Sequence, residues 1–216
     1  MTYRGKVRPG TPGVRELSDL MITKASVGPM DNNAYLLKCR TTDDLLLIDA
    51  AADEGVLLGL LNGQPLATVV TTHRHGDHWG ALAAVVAATS ATTVAGADDV
   101  DGIPVTTDRA VRDGDVVSVG GVDLQVISLV GHTPGSVALL YDDPTGPPHL
   151  WTGDSLFPGG VGKTWSADDF RSLIDDVESK IFDRLPDETW VYPGHGDDTT
   201  LGAERPHLAE WRARGW

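Results

Sequence analysis

Three histidines and an aspartate fall within the six residues "HRHGDH", at His73, His75, Asp77 and His78. Imidazoles and a carboxylate crowded together must be hydrated, paired or gathered on a cation. Matching parts lie further along the chain: His132 in "VGHTPGS", Asp154 in "LWTGDSLF" and His195 in "YPGHGD". In each of the four cases a β-rich run ends one to three residues earlier, namely "ATVVTT", "VISLV", "HLWTG" and "TWVYPG". Ends of neighbouring strands project onto one rim of a sheet, where sites assembled from distant segments are built. Five imidazoles and two carboxylates are more than one tetrahedral ion uses, but they suit two ions sharing a bridging carboxylate and water. Neutral imidazole with carboxylate fits zinc first, with iron or manganese also compatible. His73 and His75 alternate on an extended segment and face one way, whereas Asp77 and His78 turn toward a second ion as a helix begins. Gly76 supplies the backbone freedom for that turn. His149 and His207 have no such setting and read as packing or surface residues.

Those side chains need a scaffold. "LMITKASV" (20–27), "AYLLKC" (34–39) and "LLLIDA" (45–50) read as strands separated by turn-rich "GPMDNN" and "RTTDD". "DEGVLLGLLNG" (53–63) has helical spacing and an Asn-Gly stop, and "ATVVTT" (67–72) reads as a buried strand. "WGALAAVVAAT" (79–89) is Ala-rich and long enough for a helix. Short strands follow at "TTVAG", "DVVSVGG", "VDLQVISLV", "SVALLYDD" and "HLWTG". Residues 166–185 begin with an N-cap Ser and keep Phe170, Leu173, Ile174, Val177 and Ile181 on one face of a helix. "ETWVYPG" reads as a last strand, before a broken helix in "LGAERPHLAEWRARG". Strands outnumber interspersed helices, so sheet packs on sheet with helices outside. No linker or repeat divides the chain, which predicts one domain over 1–216, with 1–19 an irregular lead-in.

The 216 residues are 41% hydrophobic and 22% charged, the balance of a globular domain rather than a disordered chain. A net charge of -14 disfavours nucleic acid and anionic membranes as partners. The single cysteine, Cys39, excludes an internal disulfide framework and reads as a small core residue. No run approaches the ~20 apolar residues of a membrane span, and the first residues do not resemble a signal peptide. A cytoplasmic location is expected. Two local motifs fail on inspection. "GGVGKT" is no phosphate loop, because the first glycine of that pattern would fall on Phe157. "DDVDG" is no calcium loop, because its first and twelfth positions fall on Ala97 and Asp108.

The succession H-x-H-x-D-H, G-H-T-P-G-S, G-D and G-H resembles the metallo-β-lactamase-fold superfamily, from about Ile22 to His195. That resemblance implies an α+β fold, a four-layer αβ/βα sandwich with a dinuclear site along one edge. Carried onto this chain, it assigns one metal to His73, His75 and His132, the other to Asp77, His78 and His195, and a bridge to Asp154. True metallo-β-lactamases use Cys or Ser after the third metal histidine, where this chain has Asp154. A lactam nitrogen is a poor leaving group that needs protonation, whereas a thiolate of conjugate pKa about 8.5 leaves unaided. No further residue presents itself as a general acid, which favours a thioester.

The segment from Gly153 to Gly196 is similar to that of the glyoxalase II group (hydroxyacylglutathione hydrolases), in which a Gly-Lys after the bridging Asp helps hold the thiol part of the substrate. Lys163 and Trp165 are the corresponding substrate-binding candidates. About twenty residues follow His195, and the chain continues "GHGDD" without a tyrosine. The match is therefore to the shorter glyoxalase II-like proteins, with glutathione or another small thiol as carrier. The expected reaction is hydrolysis of a small-molecule thioester by a metal-activated hydroxide, with Asp77 and Asp154 orienting it and receiving its proton. A persulfide dioxygenase of the same superfamily, with one iron on the residues matching His73, His132 and Asp154, is the alternative. Lactone hydrolysis and non-catalytic metal binding are the others.

Overall fold

In the computed structural model, which describes residues 3–215, the apolar runs between residues 20 and 48 form an antiparallel meander. β1 (Gly13–Glu16), β2 (Leu20–Val27), β3 (Asn32–Cys39) and β4 (Leu45–Ile48) pair in chain order. The sheet continues in parallel through β5 (Leu66–Thr71), β6 (Thr92–Gly96) and β7 (Arg109–Val111). Parallel neighbours need long crossovers, and α1 (Glu54–Leu61) and α2 (Leu82–Thr89) supply two of them. A second sheet has the order β15-β14-β11-β10-β9-β8. Its strands are β8 (Val116–Val119), β9 (Val122–Ser128), β10 (Val137–Tyr141), β11 (His149–Gly153), β14 (Trp190–Pro193) and β15 (Thr199–Thr200). Only β11 and β14 run parallel, connected through a small hairpin of β12 (Leu156–Phe157) and β13 (Gly160–Val161) and then α3 (Ala167–Asp176).

Three apolar cores define four layers. Between the sheets lie Ile22, Leu37, Leu46 and Val70 from one and Leu124, Val126, Leu139 and Trp151 from the other. Outside the first sheet, Leu36, Leu47 and Val69 pack on Leu57, Leu61, Leu82 and Val85 of the two crossover helices. Outside the second, Ile127, Leu140 and Leu150 meet Phe170, Leu173 and Ile174, with Trp211 from α4 (Leu208–Arg214). The predicted αβ/βα sandwich is the observed fold. Strands buried on both faces explain why "LLLI" and "VALLY" are continuously apolar instead of alternating.

Several boundaries differ from the sequence reading. The lead-in over 1–19 is not irregular throughout, because Gly13–Glu16 forms an edge strand registered on Met21–Lys24. The helix expected from Trp79 starts at Leu82, after a tight turn at Gly76–His78. The helix expected over 166–185 keeps its apolar face but widens into a π-helical stretch at Val177–Phe182. Strand β7 and the β12–β13 hairpin lay outside the sequence reading. Two or three residues are too few to show a period.

Candidate metal centre

Seven side chains meet at the rim where β5, β11 and β14 end. His73, His75, Asp77 and His78 follow β5, Asp154 directly follows β11, and His195 lies just past β14. His132 enters from the turn between β9 and β10. Three overlapping groups have donor atoms mutually within 4.8 Å: His73, His75 and His132; His73, His78 and Asp154; Asp77, His78 and His195. Asp154 stands between the halves. Its Oδ1 faces His78 Nε2 at 3.3 Å, and its Oδ2 lies 3.6 Å from His132 Nε2 and 3.4 Å from His195 Nε2.

The outer imidazole nitrogens are tied down. His132 Nδ1 donates to the Lys163 carbonyl at 2.7 Å, and His195 Nδ1 to the Met30 carbonyl at 3.0 Å. His78 Nδ1 donates to Asp49 Oδ2 at 2.8 Å. The Thr72 hydroxyl spends its proton on Asp49 Oδ2, so His73 Nδ1, 3.1 Å away, donates to it. These partners fix the tautomers, and the Nε2 lone pairs turn inward. They face one another closely: His73 and His132 at 3.3 Å, His78 and His195 at 3.2 Å. Zinc–nitrogen bonds of about 2.0–2.1 Å in a tetrahedron separate the ligand atoms by about 3.3 Å. Lone pairs at such spacing repel unless a proton or cation lies between them. Asp154 Oδ1 is buried and accepts no hydrogen bond, so it too is left for a cation. The residues fit a divalent metal.

The two halves differ electrically. Burial, reinforced by neighbouring imidazoles, lowers the basicity of His73 and His75. Burial pushes His78 down as well, but the Asp49 and Asp154 carboxylates outweigh it and raise this residue to about 10. His195 is raised against burial by Asp154 and the Met30 carbonyl. Burial opposes ionisation of Asp154, yet His195 and His78 hold its carboxyl well below the usual range. His73 and His75 are thus held as neutral imidazoles, whereas His78 and His195 face the Asp77 and Asp154 carboxylates.

Residues outside the sequence reading support these seven. Asp49, buried at the end of β4 with φ of 58°, accepts from Thr72 N, Thr72 Oγ1 and His78 Nδ1, each at 2.8 Å. A left-handed non-glycine residue is uncommon and collects at functional sites. "LLLIDA" carried the same sign as the other four segments, a β-run closing on a histidine or a carboxylate. Asp99 accepts from Arg74 N, Thr133 Oγ1 and Gly135 N, joining the "HRH" and "GHTPG" turns. Asn32 Nδ2 donates to the Asp77 carbonyl at 2.8 Å and to Asp77 Oδ2 at 3.0 Å. Gly194 is required by close approach, since a Cβ there would stand 2.2 Å from Asp154 Oδ1.

Lys163 and Trp165 flank the centre. The Lys163 ammonium lies 4.5 Å from the Trp165 ring centroid, and that ring is 6.4 Å from the His75 ring and 65% exposed. A groove of about 260 Å³ beside them is lined by Phe157, Val161, Lys163 and Arg214. Cys39 is buried and unbonded to another cysteine, and His149 is buried in the second sheet, as the sequence led us to expect. Among the described residues no helix is long and apolar enough to cross a membrane.

A profile of the metallo-beta-lactamase superfamily matches residues 27–195. The hydroxyacylglutathione hydrolase of Polaromonas sp. (strain JS666 / ATCC BAA-500) is 37% identical over 166 residues, which are 76% of this chain and 62% of that protein. The chain therefore spans about three fifths of the length of the first curated relatives it matches. Among solved structures, TTHA1623 in a di-iron-bound form is 31% identical with a TM-score of 0.69, over 84% of this chain and 96% of that one. ETHE1 from Myxococcus xanthus is 30% identical with a TM-score of 0.73, over 89% of this chain and 84% of that one. With its site-bearing segments inside the matched range and its layers those of the solved relatives, the chain belongs to the metallo-beta-lactamase superfamily.

Proposed function

We propose that this protein is a metal-dependent hydrolase of thioesters of a small thiol, acting in the cytoplasm. Family membership and the hydroxyacylglutathione hydrolase relatives imply a divalent metal, and the donor set suits zinc, with iron or manganese compatible. His73, His75 and His132 would hold one ion and Asp77, His78 and His195 the other, with Asp154 shared. Two ions so bound supply Lewis acidity, lowering the pKa of a water toward about 7 and polarising a carbonyl. The chain's residues do the remainder. Asp77, fixed by Asn32, and Asp154 orient the nucleophile and accept its proton. The leaving thiolate needs no acid. Lys163 and the exposed Trp165 offer a cation and an apolar shelf to the thiol portion.

The observation that carries this reading is the Asp154 carboxylate, one oxygen toward His78 and the other toward His132 and His195. A shared carboxylate is what a two-ion site requires. The test is thioesterase activity on S-lactoyl-thiols with and without chelator, together with elemental analysis. We expect turnover that chelation abolishes and metal restores, at two ions per chain. Metal-loaded protein inert toward every acyl-thiol tried would refute it, and one iron per chain with oxygen uptake on a persulfide would establish the dioxygenase alternative.

A further inference from the structure

Lys24 and Asp198 form an ion pair at 2.6 Å with both side chains fully buried. Removing two charges from water costs more than their attraction often returns, so such a pair is weak evidence of a stabilising role. Its partners suggest another role. The three protons of the Lys24 ammonium go to Asp198 Oδ1 at 2.6 Å, the Gly196 carbonyl at 2.6 Å and the Gly5 carbonyl at 3.0 Å. Asp198 Oδ2 accepts from Tyr3 Oη at 2.6 Å and Trp190 Nε1 at 3.0 Å. Asp198 N donates to the Gly5 carbonyl, and Gly5 has φ of +74° with room for no Cβ, which would stand 2.8 Å from Asp198 Cβ. All of these bonds except Lys24 to Gly5 end on the segment that follows β14 and carries His195.

That segment is also held by the start of β3. Asn33 Nδ2 donates to the Pro193 and Gly196 carbonyls at 2.9 and 3.0 Å, and Tyr35 Oη to the Pro193 carbonyl at 2.7 Å. By contrast, His73, His75 and His132 have no bond to this network; the Lys163 carbonyl, Thr72 and Asp99 position them or their turns instead.

We infer that the buried Lys24–Asp198 pair is a positioning device for His195, tuning the affinity of the Asp77–His78–His195 half of the centre while leaving the His73–His75–His132 half alone. This rests on the metal reading above. The test uses the full chain as Asp198→Asn, as Lys24→Met and as the double variant Lys24→Met/Asp198→Leu, which leaves no unpaired buried charge. Each is loaded with zinc, dialysed against graded chelator and assayed for zinc per chain, with circular dichroism verifying the fold. Partners that orient ligands typically change metal affinity by about 10–100-fold. We expect one ion to leave the folded variants at chelator concentrations lower by that factor, as it also leaves His195→Ala, while the other stays as in the unaltered protein. A folded double variant that keeps both ions as the unaltered protein does would overturn the inference, and so would equal weakening of both. If the unaltered protein takes up neither zinc, iron nor manganese, the metal reading itself fails, which separates the two failures.

Discussion

At the scale of single residues, the centre is built by what lies behind its histidines. Asp49 touches no candidate substrate position, yet it accepts from both His78 and the Thr72 hydroxyl that orients His73. Asp49→Asn is expected to retain the fold and weaken metal retention by about 10–100-fold, read by chelator titration. Asp154→Asn removes the shared charge between the halves. We expect a fall of about 10²–10⁴-fold in kcat on an S-lactoyl-thiol, the range of a lost proton-transfer group, with circular dichroism verifying the fold. A loss in kcat smaller than tenfold would contradict the bridging role.

At the scale of elements, two features can be tested apart from catalysis. Ser166 caps α3, its hydroxyl accepting from Asp169 N at 3.1 Å. Ser166→Ala should cost about 1 kcal/mol in denaturant unfolding, without altering metal content. In β11, His149 is buried between Tyr141 and Tyr192, its Nδ1 2.9 Å from Tyr192 Oη. Burial, and then the nearby Arg15, depress it to about 4. Its unfolded value is about 6.5, so between those values the unfolded chain binds a proton that the folded chain refuses. Stability therefore falls as pH drops through that interval. His149→Phe should flatten this limb in unfolding free energies measured against pH, and an unchanged slope would place the acid sensitivity elsewhere.

At the scale of the whole molecule, the centre joins both halves of the sandwich. His73, His75, Asp77 and His78 belong to the first sheet, and His132, Asp154 and His195 to the second. A cation there cross-links the sheets in the folded state alone. An ion present at a hundred times its dissociation constant adds about 2.7 kcal/mol, and chains of this size gain about 2–4 °C per kcal/mol. Chelation should then lower the melting temperature by about 5–10 °C for each ion removed. Calorimetry with and without chelator checks this, and no shift would mean that the ions do not hold the sheets together. The net charge of -14 acts at this scale too, opposing compaction and association with polyanions while favouring cation uptake.

The residue types alone determined the chemistry: imidazoles and carboxylates each placed just beyond a β-rich run have few uses but a metal, whatever the order of the strands. Hydrophobic period likewise located most strands and the amphipathic face of α3, because each element buries its own apolar side. Tertiary structure decided which residues support the site. Asp49 and His78 are 29 positions apart, and Lys24 and Asp198 174, so no local pattern records their bonds. Asn33 and Tyr35 read as turn and strand residues until β14 is brought against them. The lead-in became structure for the same reason. A four-residue edge strand and a tyrosine acquire meaning only from the surface they meet, and that surface exists only once the two sheets have packed.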